Sequence, residues 1–532
     1  MLALVPAAFG AARPQPALTP GPNDGLSRAL AGGALTDAQY ALQRARSIFD
    51  RAAVRARFGT VAAARELDAT LVLRDLVVRY NELGPVERRQ AAVILSRPDD
   101  DTNPNEGGGH YDPAVVSSDN YVNRCTGDFC VNWVTVSSDA ASPSFVDSVF
   151  ASMETVWAAE IDRLDYREPK SDATSTATNP LNANGLIDIY VKDLPNGLYG
   201  YCQTDDPTAF DPTATNFDVS AYCVVDNDYR PGQYGGATNG VAALQVTAAH
   251  EFFHAVQFAY NYFQDRWLLE STATWVEDEV FDDVNDNYQY LRSSALTDPD
   301  VPLDMTTFDG DYDSFKYGGW LFFRYVSETD DPSVVRRMIE ISGEPDLLRS
   351  IYAVDRALRQ GGSSFGIAFT GFGAANVVPG EFYDEGADYL AGGKPLQAPL
   401  GRAITLSAVK RDSGWRARTL SHLTTGYGYL VPGAGARPGA KVRIRLDLPR
   451  RRGGSQASLV LRNASGAVST RRVVLNIRGD ATVTVPLGLA VVVVLSNANL
   501  QLAACGQGRP FTCEGTYSHD PDRYRFRARL VQ

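Results

Sequence analysis

Apolar and polar positions change their rhythm twice along this chain. Over residues 25–97 apolar side chains recur at steps of three and four, in LTDAQYALQRARSIFDRAAVRARFG and again in ARELDATLVLRDLVVRYNELGPVERRQAAVIL. That spacing lays an apolar stripe along one side of a helix, so a helical N-terminal segment is expected. From about 110 to 385 the pattern is mixed. FCVNWVTV over 129–136 alternates as a half-buried strand does, 186–191 and 219–225 are short apolar runs of the buried-strand type, and 144–165 has the period of a long amphipathic helix. Further helices are expected over 286–296, 317–328, 332–342 and 346–360. Beyond Gly392-Gly393-Lys394-Pro395 short alternating segments take over, at 441–448, 457–462, 472–477, 481–485, 490–495 and 523–531. Gly, Asn and Arg separate them at the spacing of a β-sandwich. The fold class that follows is α+β.

One stretch conflicts with its own surroundings. Residues 241–260, VAALQVTAAHEFFHAVQFAY, contain neither Gly nor Pro and are apolar on nearly every side, as befits a helix inside a protein. Yet Thr247, His250, Glu251 and His254 follow the i, i+3, i+4, i+7 spacing of a single helix face. Burying two imidazoles and a carboxylate costs roughly several kcal/mol unless something pairs with them. The spacing His250-Glu251-x-x-His254 names that partner. Two His one turn apart bind Zn²⁺ through neutral ring nitrogens, and the adjacent Glu251 serves as general base toward a metal-activated water. Two satisfied core histidines beside a salt-bridged Glu would instead leave three titratable groups on a buried stripe without a counter-charge. After a short polar break, WLLESTATWVEDEVF over 267–281 reads as a second helix. Helices joined by so short a loop run roughly antiparallel, which returns Glu270 toward His254 as the third ligand. The competing role for Glu270 is a carboxylate facing the positive end of its helix dipole. Glu277 is the reserve ligand, and Thr274 and Glu277 share the face of Glu270, from which they would orient the ligands by hydrogen bonds.

His250-Glu251-Phe252-Phe253-His254, followed by Trp267-Leu268-Leu269-Glu270-Ser271-Thr272-Ala273-Thr274-Trp275-Val276-Glu277, resembles the gluzincin clan of zinc metallopeptidases. It is more closely similar to a group of secreted bacterial metalloproteases with a Glu-x-x-His-x-x-Gln block and a Glu-(Ser/Ala)-Thr-Ala-Thr-Trp helix. The resemblance implies His250, His254 and Glu270 as zinc ligands, Glu251 as general base, and a zincin-like, two-lobed catalytic domain. In such a domain an edge strand, here near residues 221–226, pairs with the substrate backbone. Two departures matter. The interval from His254 to Glu270 is shorter than in the thermolysin-like or aminopeptidase-like gluzincins. The Gly-x-Met-Glu-Asn element that holds a free amino terminus is absent, so an endopeptidase acting on protein or peptide substrates is expected. Tyr317, in SFKYGGW, is the candidate oxyanion donor, with Tyr288, Tyr290 and His110 in competition.

Composition sharpens the picture in four ways. A chain of 532 residues is too long for one core. The expected organisation is a signal remnant at 1–17, a helical pro-segment or cap at 18–100, the metallopeptidase domain at 101–390 and an accessory β-sandwich at 396–532. A net charge of -13 argues against a nucleic-acid partner, but the charge is uneven. From Gly401 onward there are 21 Lys and Arg against 6 Asp and Glu, leaving 29 basic and 57 acidic residues in the first 400. The Arg-rich sandwich therefore has two expected roles, binding an anionic cell-surface polymer or packing as a stability module on the acidic core. Six cysteines fall into neighbouring pairs, Cys125/Cys130, Cys202/Cys223 and Cys505/Cys513, which reads as three disulfides in an exported protein. No run of eighteen apolar residues predicts a transmembrane span. Asp309-x-Asp311-x-Asp313 and Asp282-Asp283-x-Asn285-Asp286 could each bind Ca²⁺, but neither has the spacing of a known loop and solvated turns are the default reading. Acidic loops around Asp205, Asp206, Asp226 and Asp228 either favour basic substrates or are solvated charge. The function expected is a secreted zinc-dependent peptidase. The alternative is a non-catalytic, zinc-stabilised extracellular binding protein that works through its Arg-rich sandwich.

Overall fold

Helices α1 (Gly25–Ala31), α2 (Asp37–Phe49), α3 (Arg51–Phe58), α4 (Ala69–Val78) and α5 (Pro85–Leu95) fill the segment with the three-and-four spacing. Their starts are written in the sequence. Thr36 and Gln39 form a reciprocal capping box, Asp50 and Asp68 accept from backbone N–H groups three residues on, and Pro85 opens α5. The computed structural model describes residues 23–531 except 64–67, 101–108, 176–178, 196, 207–216, 234–237, 307–313, 345–349, 437–438, 451–452 and 501–521. Residues 1–17, the 309–313 acidic run and the Cys505/Cys513 pair therefore lie outside the described residues. Helix α4 is buried on every side, and its Leu73 and Leu76 share one core with Val149, Phe252 and Val256 farther along the chain. Arg97, just past α5, is buried among three carboxylates. It pairs with Asp172 at 2.8 Å, with Asp205 at 2.7 Å and with Asp188. The N-terminal helices are thus bound into the central core by both packing and charge.

After α6 (Pro113–Val116) come β1 (Tyr121–Cys125), β2 (Phe129–Val134), α7 (Pro143–Trp157), β3 (Ile187–Lys192), β4 (Gly200–Gln203) and β5 (Tyr222–Asp226). They form one sheet in the order β1-β2-β3-β5-β4. The inner strands β2, β3 and β5 run parallel, and β1 and β4 are antiparallel to their neighbours. Parallel strands covered on both faces carry near-continuous apolar runs, which is why 186–191 and 219–225 were legible. The edge position is a correction. Residues 222–226 lie inside the sheet, and the edge is the four-residue β4, too short to show a period. Cys202 and Cys223 stand directly opposite in the β4–β5 ladder and are joined by a disulfide; a second joins Cys125 to Cys130. Asp205 and Asp226 are also corrected. Both are buried, Asp205 against Arg97 and Asp226 accepting from Leu194, Asp228, Tyr229 and Gln233, so neither faces a substrate.

Helices α8 (Gly240–Asn261), α9 (Arg266–Val280), α10 (Phe315–Gly318), α11 (Trp320–Thr329), α12 (Ser333–Ser342), α13 (Ser350–Gln360) and α14 (Phe365–Ala375) follow. The helix expected over 286–296 is a 3₁₀ helix at Asp286–Arg292. It stops there because the Ser294 hydroxyl takes the Leu291 carbonyl at 2.8 Å and the Leu296 N–H at 3.2 Å, groups an α-helix would need.

A hairpin of β6 (Leu390–Ala391) and β7 (Lys394–Pro395) leads into β8 (Ile404–Leu406), β9 (Asp412–Leu420), β10 (Thr424–Pro432), β11 (Lys441–Asp447), β12 (Ser455–Arg462), β13 (Val468–Arg472), β14 (Asp480–Pro486), β15 (Ala490–Asn497) and β16 (Asp522–Val531). These build two sheets, β13-β12-β15-β10-β8 and β14-β11-β16-β9, around a core that includes Leu459, Val493, Ile444 and Phe526. The strand expected at 472–477 is instead β13, ending at Arg472. Asn476 turns the chain there, accepting from the Arg478 and Asp480 N–H groups at 2.8 and 3.0 Å. β15 is buried on both faces. Val491, Val493 and Leu495 enter the sandwich core, whereas Val492 and Val494 meet Ala374 of α14.

Candidate metal centre

Helix α8 lies under the sheet against β4 and β5, and α9 returns beside it. The antiparallel course expected from the short loop is visible in the pairings: Glu270 reaches both His254 and His250, and Glu277, two turns on, reaches His250. His250 Nε2 stands 3.5 Å from Glu270 Oε2, and His254 Nε2 stands 3.5 Å from Glu270 Oε1. Suitable ligand atoms of the three residues lie within 4.8 Å of one another.

The other ring nitrogens are spoken for. His250 Nδ1 meets Glu277 Oε1 at 2.6 Å, and His254 Nδ1 meets Gln257 Oε1 at 2.8 Å. Gln257 cannot turn over, because its amide nitrogen donates to Leu269 O at 2.9 Å and Thr272 Oγ1 at 2.8 Å. Its oxygen must therefore accept, so His254 Nδ1 carries the hydrogen and Nε2 keeps a lone pair in the neutral ring. Partners of this kind set both tautomer and direction in metal-binding His.

Charge at the centre follows from burial. Glu270 is 1 % exposed, and its Oε1 has no hydrogen-bond donor among the described residues. Burial opposes its charge, but His254, His250 and Lys316 outweigh that and hold its carboxyl below the ordinary range. His254 is pushed down to about 4 by burial and by the neighbouring charge of His250. His250 is held well above its ordinary value, because the Glu270 and Glu277 carboxylates overcome its burial. Burial lifts Glu251 to about 8 and Glu277 to about 7 against the pull of His250. A buried carboxylate with one donor-free oxygen, its two oxygens each facing an imidazole nitrogen, is what a cation would satisfy. The residues present fit a divalent metal.

The centre opens into a cavity of about 310 Å³. Its wall includes Asp68, Thr70, Gly200, Tyr199, Tyr290 and Tyr317 as well as the four motif residues. Gly200 is there because nothing larger fits. A Cβ at that position would lie 2.9 Å from Glu251 Cγ and 2.8 Å from Thr247 Cγ2. Cys202, two residues along β4, turns its N–H out of the sheet to Thr70 Oγ1 at 3.0 Å. In an antiparallel ladder Gly200 points its backbone groups the same way, toward the cavity. The Thr70 hydroxyl also donates to Glu251 Oε2 at 3.2 Å.

Tyr317 lines the cavity, with its ring 6.1 Å from that of His250 and its hydroxyl 3.4 Å from Asp68 Oδ2. Tyr290 packs on Tyr317 and shares the wall. His110 is not part of the centre. It is buried beside Ser96, and burial pushes it down to about 4. Tyr288 does not line the cavity, and among the described residues the buried Thr274 hydroxyl makes no hydrogen bond to a ligand. Among the described residues Asp282 converges with Asp278 and Glu385 rather than with Asp283 and Asp286, and Arg324 already pairs with Asp278.

Sequence reasoning missed Asp68, Thr70 and Gly200 and gave Gln257 no role. Gln257 had left a signal, a polar residue one turn past His254 on an otherwise apolar helix. Asp68 is the cap of α4, and nothing local distinguishes it from Asp50. No protein-family model and no curated protein matches the sequence.

Proposed function

We propose that this chain is a secreted zinc-dependent peptidase of gluzincin type that cuts internal peptide bonds. The observation that carries this is the buried Glu270 carboxylate, whose Oε1 has no hydrogen-bond donor among the described residues and faces His254 Nε2 while its Oε2 faces His250 Nε2. Two imidazoles and one carboxylate are the donor set of catalytic zinc, which leaves a fourth position open. The zincin-like, two-lobed arrangement is part of the same proposal. Its supports are the mixed sheet with an antiparallel edge strand over α8 and the cavity walled by both the sheet and the later helices. Two disulfides support the extracellular assignment.

Zn²⁺ bound by His250, His254 and Glu270 would acidify water and polarise a substrate carbonyl. The chain's own residues do the rest. Gly200 offers backbone groups for strand-like pairing with substrate. Glu251 accepts the proton of the attacking water and returns it to the leaving amine. Thr70 and Gly200 fix where that carboxylate points. The Tyr317 hydroxyl donates to the developing oxyanion.

Glu251→Gln tests this. Hydrolysis of a peptide library by the zinc-loaded chain should fall by about 10³-fold or more. Zinc content by mass spectrometry and melting temperature should stay near wild type. Undiminished hydrolysis in this variant would overturn the mechanism. Zinc-loaded wild type that cuts nothing, yet melts lower after chelation, would point to a metal-stabilised binding protein instead.

A further inference from the structure

The acidic and basic halves of this chain do not neutralise each other where the sandwich meets the helices. The sandwich docks through its five-stranded sheet. Val492, Val494, Val460 and Tyr427 pack on Ala374 and Val377, and the Tyr427 hydroxyl donates to Gly373 O at 2.9 Å. The four-stranded sheet β14-β11-β16-β9 is the opposite wall of the sandwich, so its outer face looks away from the catalytic half.

That outer face is built of cations. On β11 the outward positions are Lys441, Arg443 and Arg445, alternating with the buried Val442, Ile444 and Leu446. On β16 they are Arg523, Arg525, Arg527 and Arg529, alternating with the buried Tyr524, Phe526 and Ala528. The two strands are paired so that Arg443 stands opposite Arg529, and Arg445 opposite Arg527. Like charges directly opposite across a ladder repel. Only part of this is relieved within the sheet. Arg527 is clamped by Asp412, and Arg525 pairs with Asp447. Lys441, Arg443, Arg445, Arg523 and Arg529 make no ion pair among the described residues. Beside them Trp415 of β9 is 41 % exposed, with Arg445 and Arg525 at 5.9 and 5.4 Å from its ring.

We propose that this face binds a linear acidic polysaccharide, lying along β11 and β16 with a sugar ring against Trp415. Cations repeat at about 7 Å along each strand and about 4.8 Å between strands, so the two rows match a flexible chain carrying an anion on successive sugars. Arginine forks suit carboxylate or sulfate groups, and the flat indole suits a sugar face. The proposal is independent of the peptidase assignment, because no residue of the metal centre takes part.

The test uses the full chain and immobilised polygalacturonate, with heparin, neutral dextran and duplex DNA in parallel. Binding to polygalacturonate and heparin, weakening steeply with salt, is expected, with none to dextran. The double variant Arg443→Gln/Arg529→Gln should weaken binding at least about 10-fold and flatten the salt dependence. Trp415→Ala should weaken polygalacturonate binding without changing that dependence. Both variants should keep wild-type melting temperature and far-UV circular dichroism, which separates lost binding from lost fold. Absent binding, binding untouched by the variants, or equally tight binding of DNA would each overturn the proposal.

Discussion

The candidate centre depends on a few contacts that can be altered one at a time. Thr70 reaches Glu251 Oε2 with its hydroxyl and caps the Cys202 N–H, so it holds the proposed base and the edge strand in one register. Thr70→Val keeps the shape and removes both hydrogen bonds. We expect kcat to fall by roughly 10–100-fold with KM and zinc content little changed, and Thr70→Ser to recover most of the loss. Equal loss in the Val and Ser variants would leave Thr70 with only a packing role. Gly200→Ala places a methyl 2.9 Å from both Glu251 Cγ and Val224 O. Backbone cannot yield there, so a stability loss of about 1–3 kcal/mol, read by urea unfolding, is expected together with loss of hydrolysis. A fully active Ala variant would show that β4 does not lie on the base as described.

Among the elements, α4 and the segment after α5 decide what the N-terminal helices are for. A removable pro-segment would be held by a separable surface, but α4 is buried on all sides and brings Asp68 and Thr70 to the cavity wall. An engineered cut within 101–108 should therefore leave the pieces associated and activity unchanged or lower; a gain in activity would restore the pro-segment. Arg97 carries the electrostatic half of this attachment. Arg97→Ala strands Asp172, Asp188 and Asp205 in the interior, and we expect about 3–5 kcal/mol of destabilisation in urea. A change under about 1 kcal/mol would show that these carboxylates ionise little.

For the whole molecule, burial, full or partial, lifts several acids above their ordinary range. Burial is the first cause lifting Asp188, Glu279 and Glu328, each to about 7; Arg97 opposes it at Asp188, and Arg163 and Arg324 oppose it at the other two. In the unfolded chain such groups titrate near about 4. Between those values the folded state binds more protons, so stability falls as pH rises from about 4 through 7. The melting temperature of the zinc-free chain should be higher near pH 5 than near pH 8. A profile that rises across this window would contradict the burial of these three groups.

What the sequence determined alone was periodic or contiguous. The helix stripes, the buried parallel strands, the alternating sandwich strands and the His250-Glu251-x-x-His254 face could be read because their spacing is the spacing of a helix or strand. Glu270 was legible too, because a short loop leaves a following helix only one way to return. Folding alone decided everything carried by residues far apart in the chain. Thr70 reaches Glu251 from about 180 positions away, and Asp68 meets Tyr317 and Lys316 from farther still; β4 takes the sheet edge because it pairs with β5, Cys202 opposite Cys223; the Arg rows become one face only when β11 and β16 lie side by side. Local patterns record which way a side chain points, and only chain closure records what it meets.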